Sequence, residues 1–191
     1  MDADWSVELG HDDPALEFPW SSEDGSRSFV DLSSDLADLD NIPEARQYRE
    51  LAAFLAVVNA ETSTWITAKC DAWFDRELGE AEQIYDAKMK MCSYIDLIRR
   101  NREQRFSFEL HEHFVKQATI ALGKTSAAPM ACEFIVRRCW YQSENAPQND
   151  PDPGFYITVY VFGYGSDGPQ ARTSWSEALT RIASVIAPPQ G

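Results

Sequence analysis

The feature that most constrains this fold is an order of one helix and two strands that occurs twice along the chain. Apolar residues recur at helical spacing over residues 43–59 and again over 110–122. A pair of strand-like segments, rich in β-branched and aromatic residues, follows each helix. The predicted strands cover about 64–75, 88–98, 130–142 and 154–164.

Two helix-and-hairpin units predict an α+β fold. Each unit has one apolar face, and a single antiparallel sheet with the helices on one face buries all of them. A third amphipathic helix closes the chain, with Ser174 and Glu177 spaced as a capping box. We therefore predict one domain over residues 1–191. Its parts are a strand-rich acidic segment that docks on the rest (1–42), repeat 1 (43–99), repeat 2 (106–165) and the closing helix (169–187).

This element order is similar to that of the duplicated strand-helix-hairpin domains of the GyrI-like effector-binding class. The resemblance covers about residues 28–165 and rests on element order, without a diagnostic motif. It implies two halves that enclose a ligand cleft.

Acidic residues are concentrated in the first part of the chain. Residues 1–44 carry thirteen Asp or Glu against Arg27 alone, a formal charge of −12 out of −14 for the whole chain. Nucleic-acid binding needs a clustered basic surface, so we expect no nucleic-acid partner. The same segment holds large apolar residues such as Trp5, Phe18 and Trp20, which a solvated acidic tail would lack. We therefore expect it to form short strands and to dock.

Cysteine usage and hydropathy bear on location. Four cysteines occur without a C-x-x-C pair, which favours free thiols packed as small hydrophobic groups in a reducing compartment. No apolar run approaches the roughly 18 residues of a membrane span, and the acidic start MDADWSVELG is unlike a secretory signal. We expect a cytoplasmic protein with no membrane partner.

Linear motifs for cofactors and catalysis are weak. GYGSDG, residues 163–168, fits a dinucleotide-binding spacing, but Asp167 puts a negative charge where phosphates would lie, so we interpret it as a turn. His111 and His113 are two residues apart on a predicted helix and point in nearly opposite directions, which predicts a solvated first turn rather than a metal site. We predict no cofactor and no metal. Catalytic groups that are far apart in the sequence can meet in the folded chain without leaving a linear motif. An enzyme therefore remains the alternative to a non-enzymatic protein.

The strand faces carry the candidate site. Alternation puts aromatic and charged side chains on one face of both hairpins, opposite the apolar face that packs on the helices. Rings give contact area and a few charges fix orientation, which is typical of a ligand-binding surface. The alternative is an ordinary sheet face, on which aromatic residues are also favoured, covered by the N-terminal segment. The candidate ligand-binding residues are Trp65, Lys69, Asp71, Trp73, Tyr94, Glu133, Arg137, Tyr156 and Tyr160.

Two functional hypotheses follow from these patterns. The first is a cytoplasmic, non-enzymatic binding protein that holds a small molecule or a peptide on the aromatic and charged sheet face. The second is an acidic protein-interaction partner, for example an inhibitor or immunity-type protein that neutralises a basic target.

Overall fold

Six strands form one mixed sheet in the computed structural model, which describes residues 1–79, 82, 86–124, 128–142 and 151–187. The strands are β1 (Asp2–Glu8), β2 (Ala15–Phe18), β3 (Trp65–Asp75), β4 (Met89–Arg99), β5 (Met130–Tyr141) and β6 (Asp152–Gly165). The helices are α1 (Pro43–Gln47), α2 (Arg49–Asn59), α3 (Phe108–Gly123) and α4 (Gly168–Ile186), with 3-10 turns at Leu36–Asn41 and Glu103–Phe106. None of the described helices is long and apolar enough to cross a bilayer.

The sheet has the order β1-β5-β6-β4-β3, and β2 pairs with the far part of β5. The hairpins β3–β4 and β5–β6 are antiparallel and join through antiparallel pairing of β4 with β6. The predicted α+β fold is confirmed. An entirely antiparallel sheet is wrong, because β1 and β2 both run parallel to β5 along its outer edge. The long connection between β2 and β5 permits that direction.

The main core lies between one face of the sheet and the helices. Leu51 of α2, Val115 of α3 and Trp175 of α4 are fully buried against strand residues such as Phe134 and Val159. Each helix contributes the apolar stripe expected from helical periodicity. All three long helices therefore pack on the same side of the sheet, which leaves the other side for a site.

A short turn joins β6 to α4 within the GYGSDG segment. Asp167 caps the helix, since its side chain accepts a hydrogen bond from the Gln170 amide at 2.9 Å. The predicted capping box at Ser174 is wrong. Ser174 lies inside the helix, where its buried hydroxyl donates to the Tyr164 carbonyl at 3.1 Å. The helix begins at Gly168, one residue before the predicted range of 169–187, and Asp167 is its cap.

Candidate functional site

The N-terminal segment divides the sheet face opposite the helices into a covered half and an open half. Over the covered half, Leu16 and Phe18 of β2 pack with Ile98 and Tyr141 in a second hydrophobic cluster. The Phe18 ring lies 6.0 Å from that of Tyr141. The predicted site residue Tyr156 belongs to this cluster and is only 4% exposed, so it lies beneath the N-terminal segment.

In the open half, one row of side chains crosses five strands. The strand register places Asp4, Glu133, Tyr160, Tyr94 and Asp71 side by side in that order. The two tyrosines are half-buried, with ring centroids 6.2 Å apart, and the outer aspartates are exposed. In the part of the chain that the structure describes, none of the three carboxylates lies in an ion pair. We call these five residues the acidic-aromatic row.

Two further rings extend the aromatic surface of the row. Trp73, which is 37% exposed, lies 6.5 Å from Tyr94, and Phe162 stacks on Tyr160 at 6.3 Å. The ammonium group of Lys90 lies 5.6 Å from the Phe162 ring and pairs with Glu82 and, at 3.6 Å, with Asp75. Four rings from three strands therefore form one contiguous patch, which consists of Trp73, Tyr94, Tyr160 and Phe162.

A buried polar network borders the open half. The Thr158 hydroxyl donates to Asp96 at 2.7 Å and accepts from the Arg137 guanidinium at 3.1 Å. Arg137 also pairs with Glu8 at 2.7 Å. Burial raises the pKa of Asp96 to about 6, although the Thr158 hydrogen bond and the charge of Arg137 act in the opposite direction. The predicted site residue Arg137 is therefore buried and engaged within the sheet face rather than exposed on it.

Trp65 lies on the other face of the sheet. It has no exposed surface, and its ring packs under the Arg99 guanidinium at 3.9 Å. A bulge between Thr67 and Cys70 causes the difference, because one extra residue in β3 reverses which face the alternate side chains occupy. The predicted face is therefore wrong for Trp65 and correct for the residues that follow the bulge.

Lys69 lies in that bulge and is turned toward the N-terminal segment. Its ammonium group is 4.7 Å from the ring centroid of Trp20. The Trp20 indole in turn donates to the Ala68 carbonyl at 2.7 Å. Lys69 therefore lies beside the N-terminal segment and not in the acidic-aromatic row.

The two histidines of α3 have different environments. His113 is exposed, but His111 is fully buried, and its Nδ1 donates to the Ser107 carbonyl at 2.7 Å. Burial lowers the pKa of His111 to about 4, so the ring is neutral near pH 7. The predicted solvated position is wrong for His111, because it shares the apolar stripe of α3 with Val115. No group of three His, Cys, Asp or Glu able to hold a metal occurs among the described residues.

The four cysteines are free, and three of them are buried. Burial raises the pKa of each thiol to about 12. Almost no thiolate is then present near neutral pH, so these side chains are poor nucleophiles. The residues are Cys70, Cys92, Cys132 and Cys139.

Sequence reasoning missed a cavity of about 390 Å³ beside the covered half. Its walls come from residues 20–30, from the start of α1 and from residues 67–70 of β3. Segments so far apart in the sequence carry no common local pattern. Only the aromatic and basic residues Trp20, Arg27 and Lys69 would have hinted at it.

Comparisons with known proteins add no functional information. A scan against protein-family models and searches of curated proteins and of solved structures found no match to this chain. The similarity in element order to the GyrI-like class therefore has no support from these comparisons.

Proposed function

We propose that this protein is a non-enzymatic binding protein that holds a basic peptide segment of a partner protein on the open half of its sheet face. The acidic-aromatic row carries the proposal. Lysine and arginine side chains are attracted to tyrosine rings and form charge-assisted hydrogen bonds with carboxylates. Tyr94 and Tyr160 supply the rings, and carboxylates stand at both ends of the pair.

The spacing of the row suits an extended peptide. Neighbouring strands lie about 4.8 Å apart, so Glu133 and Asp71, three strand positions apart, are separated by roughly 14 Å. Side chains four residues apart on one side of an extended peptide are also about 13 to 14 Å apart. Two basic residues at positions i and i+4 can therefore reach both acidic ends while the peptide crosses the tyrosines.

Charge and shape further support a peptide over a small molecule. The chain has a formal charge of −14, and the parallel strand β1 adds Asp2 and Asp4 at the edge of the open half. Such a field attracts a basic partner. A sheet face gives broad contact, whereas small molecules favour enclosed concave sites. The proposal thus combines the sheet-face hypothesis with that of an acidic protein that neutralises a basic target.

The test is calorimetric titration with a short synthetic peptide that carries arginine at positions i and i+4, compared with the same peptide carrying citrulline. We expect the arginine peptide to bind and the citrulline peptide to bind at least tenfold more weakly. Glu133→Gln and Asp71→Asn should each weaken binding about three- to tenfold, and rising salt should weaken it further.

The control is Glu61→Gln, which removes an exposed carboxylate outside the sheet and should leave affinity unchanged. Equal binding of the two peptides would refute the proposal. So would a Glu133→Gln, Asp71→Asn double variant that binds as tightly as the parent.

We also propose that the two helix–strand–strand units are an internal repeat and that the protein acts in the cytoplasm. The repeat is supported by β4 and β6, the second strands of the two units, which are neighbours in the sheet. The location is supported by the four free cysteines.

A further inference from the structure

The cavity beside the covered half has the dimensions of a ligand site. Its volume is about 390 Å³, within the range of roughly 300 to 1,000 Å³ that is usual for small-molecule pockets. It lies between the N-terminal segment, the start of α1 and the edge strand β3, and shares none of its lining with the acidic-aromatic row.

Half of the residues that line the cavity are apolar, and one of these is aromatic. Val30, Ile42 and Leu55 line it together with the indole of Trp20. The indole N–H already donates to the Ala68 carbonyl at 2.7 Å. This hydrogen bond holds the ring in place and satisfies its donor. A fixed ring and aliphatic walls suit a flat apolar ligand, because the contact requires little ordering of side chains.

The charged groups of the cavity favour an anion. Two cations, Arg27 and Lys69, line it against one carboxylate, Glu44. Neither cation lies in an ion pair with any other described residue. Arg27 is also the one Lys or Arg among the first 44 residues.

The backbone directs one of these cations to the cavity. The register of β3 with β4 skips Ala68 and Lys69, which form the bulge between Thr67 and Cys70. Bulges commonly re-aim a side chain beside a functional site. Here the bulge places the Lys69 ammonium group 4.7 Å from the Trp20 ring, at the cavity wall.

We propose that this cavity binds a small aromatic carboxylate. The flat ring system of the ligand packs against Trp20 and the aliphatic wall, and its carboxylate pairs with Lys69 and Arg27. This site is separate from the peptide-binding face and does not depend on the function proposed for that face.

The test is calorimetric titration of the full chain with 2-naphthoate and with its neutral analogue 2-naphthamide. We expect 2-naphthoate to bind and 2-naphthamide to bind at least tenfold more weakly. Lys69→Met should weaken 2-naphthoate about tenfold. Arg27→Gln, at an exposed position where folding is not at risk, should weaken it about threefold. Lys124→Met, which removes an exposed lysine after α3, is the matched control and should bind as the parent does.

Three results would overturn the proposal. They are no binding of 2-naphthoate at millimolar concentration, equal binding of the amide, or unchanged affinity in both the Lys69→Met and the Arg27→Gln variants. Asp71→Asn and Glu133→Gln should leave the 2-naphthoate affinity unchanged. A loss of 2-naphthoate affinity in those two variants would show that the ligand binds on the open half of the sheet face and not in the cavity. The cavity proposal and the peptide-binding proposal can therefore fail independently of each other.

Discussion

Two buried titratable residues have pKa values shifted in opposite directions. Burial raises the pKa of Asp96 from 3.8 to about 6 and lowers that of His111 from 6.5 to about 4. In both cases the neutral form is favoured, since the charged form loses its hydration. Asp96 lies on the face opposite the helices and His111 lies among the helices, so the two shifts arise independently.

These shifts predict opposing pH dependences of stability. Between about pH 4 and 6, Asp96 stays protonated in the folded chain but ionises in the unfolded chain, so its contribution to the free energy of unfolding falls as pH rises. His111 is neutral in the folded chain but protonated in the unfolded chain from about pH 4 to 6.5, so its contribution rises with pH. Each contribution is on the order of 3 kcal/mol across its window, and in the parent protein they largely cancel.

Single variants should reveal the contribution of each residue to the pH dependence of the free energy of unfolding. In urea unfolding at pH 4 to 7, Asp96→Asn should become more stable relative to the parent as pH rises, and His111→Gln less stable. Comparing differences from the parent removes the contributions of the other titrating groups. Parallel pH profiles for the parent and both variants would show that neither pKa is shifted.

At the scale of single residues, the sequence predicts the face of the sheet on which a side chain lies only where the strand is uninterrupted. A period of two placed Asp71 and Tyr94 on one face without any structure, because that period holds along an uninterrupted strand. It failed at Trp65, because a bulge leaves no clear signal in the sequence. It also could not show that Tyr156 lies under Phe18, since that packing joins residues far apart in the chain.

At the scale of elements, β6 and α4 approach each other closely at two glycines. Gly163 and Gly165 face the helix, and a Cβ atom added at Gly163 would overlap the backbone nitrogen of Trp175. Gly165 meets the backbone of Ala171 in the same way. Two of the three glycines of the GYGSDG segment are therefore accounted for by strand–helix packing, whereas a Cβ atom at Gly168 would make only ordinary contacts. A local motif could not show this, because the helix returns onto the strand only after the turn at Asp167.

Gly163→Ala should therefore destabilise the protein. The methyl group can be accommodated only if α4 moves away from β6, and overpacking of this kind costs about 3 kcal/mol. The control is Gly123→Ala at the end of α3, where nothing lies within 4 Å of an added Cβ. The control should change the free energy of unfolding by less than about 1 kcal/mol. Urea unfolding measures both, and similar values for the two variants would contradict the packing argument.

At the scale of the whole molecule, the first 32 residues take part in both proposed sites. Strand β1 brings Asp4 beside Glu133 in the acidic-aromatic row, while Trp20 and Val30 form part of the cavity wall. The sequence predicted that this segment holds short strands, since its apolar residues are too many for a tail. It could not predict parallel pairing with β5, because no local pattern selects a strand more than a hundred residues away.

Removal of residues 1–32 should consequently lower the melting temperature and expose apolar surface. Leu16, Phe18 and Leu32 are buried, and each buried side chain of this size contributes about 1.5 to 3 kcal/mol before ordering costs. That is a large share of the 5 to 15 kcal/mol by which a typical domain is stable. The truncation also bares the outer edge of β5. Thermal unfolding followed by circular dichroism, with binding of a hydrophobic dye, measures both effects.

A charge-only variant separates packing from acidity in this experiment. Asp12→Asn, Glu17→Gln and Glu23→Gln together remove three exposed charges from the same segment and keep its apolar residues. We expect this triple variant to melt with the parent, because exposed charges contribute little to stability, and to bind the basic peptide more weakly at low salt. If the truncated chain also melts with the parent, the segment contributes charge and no packing. The cavity then loses one wall as a stable structure, and the acidic-aromatic row keeps only Glu133 and Asp71 at its ends.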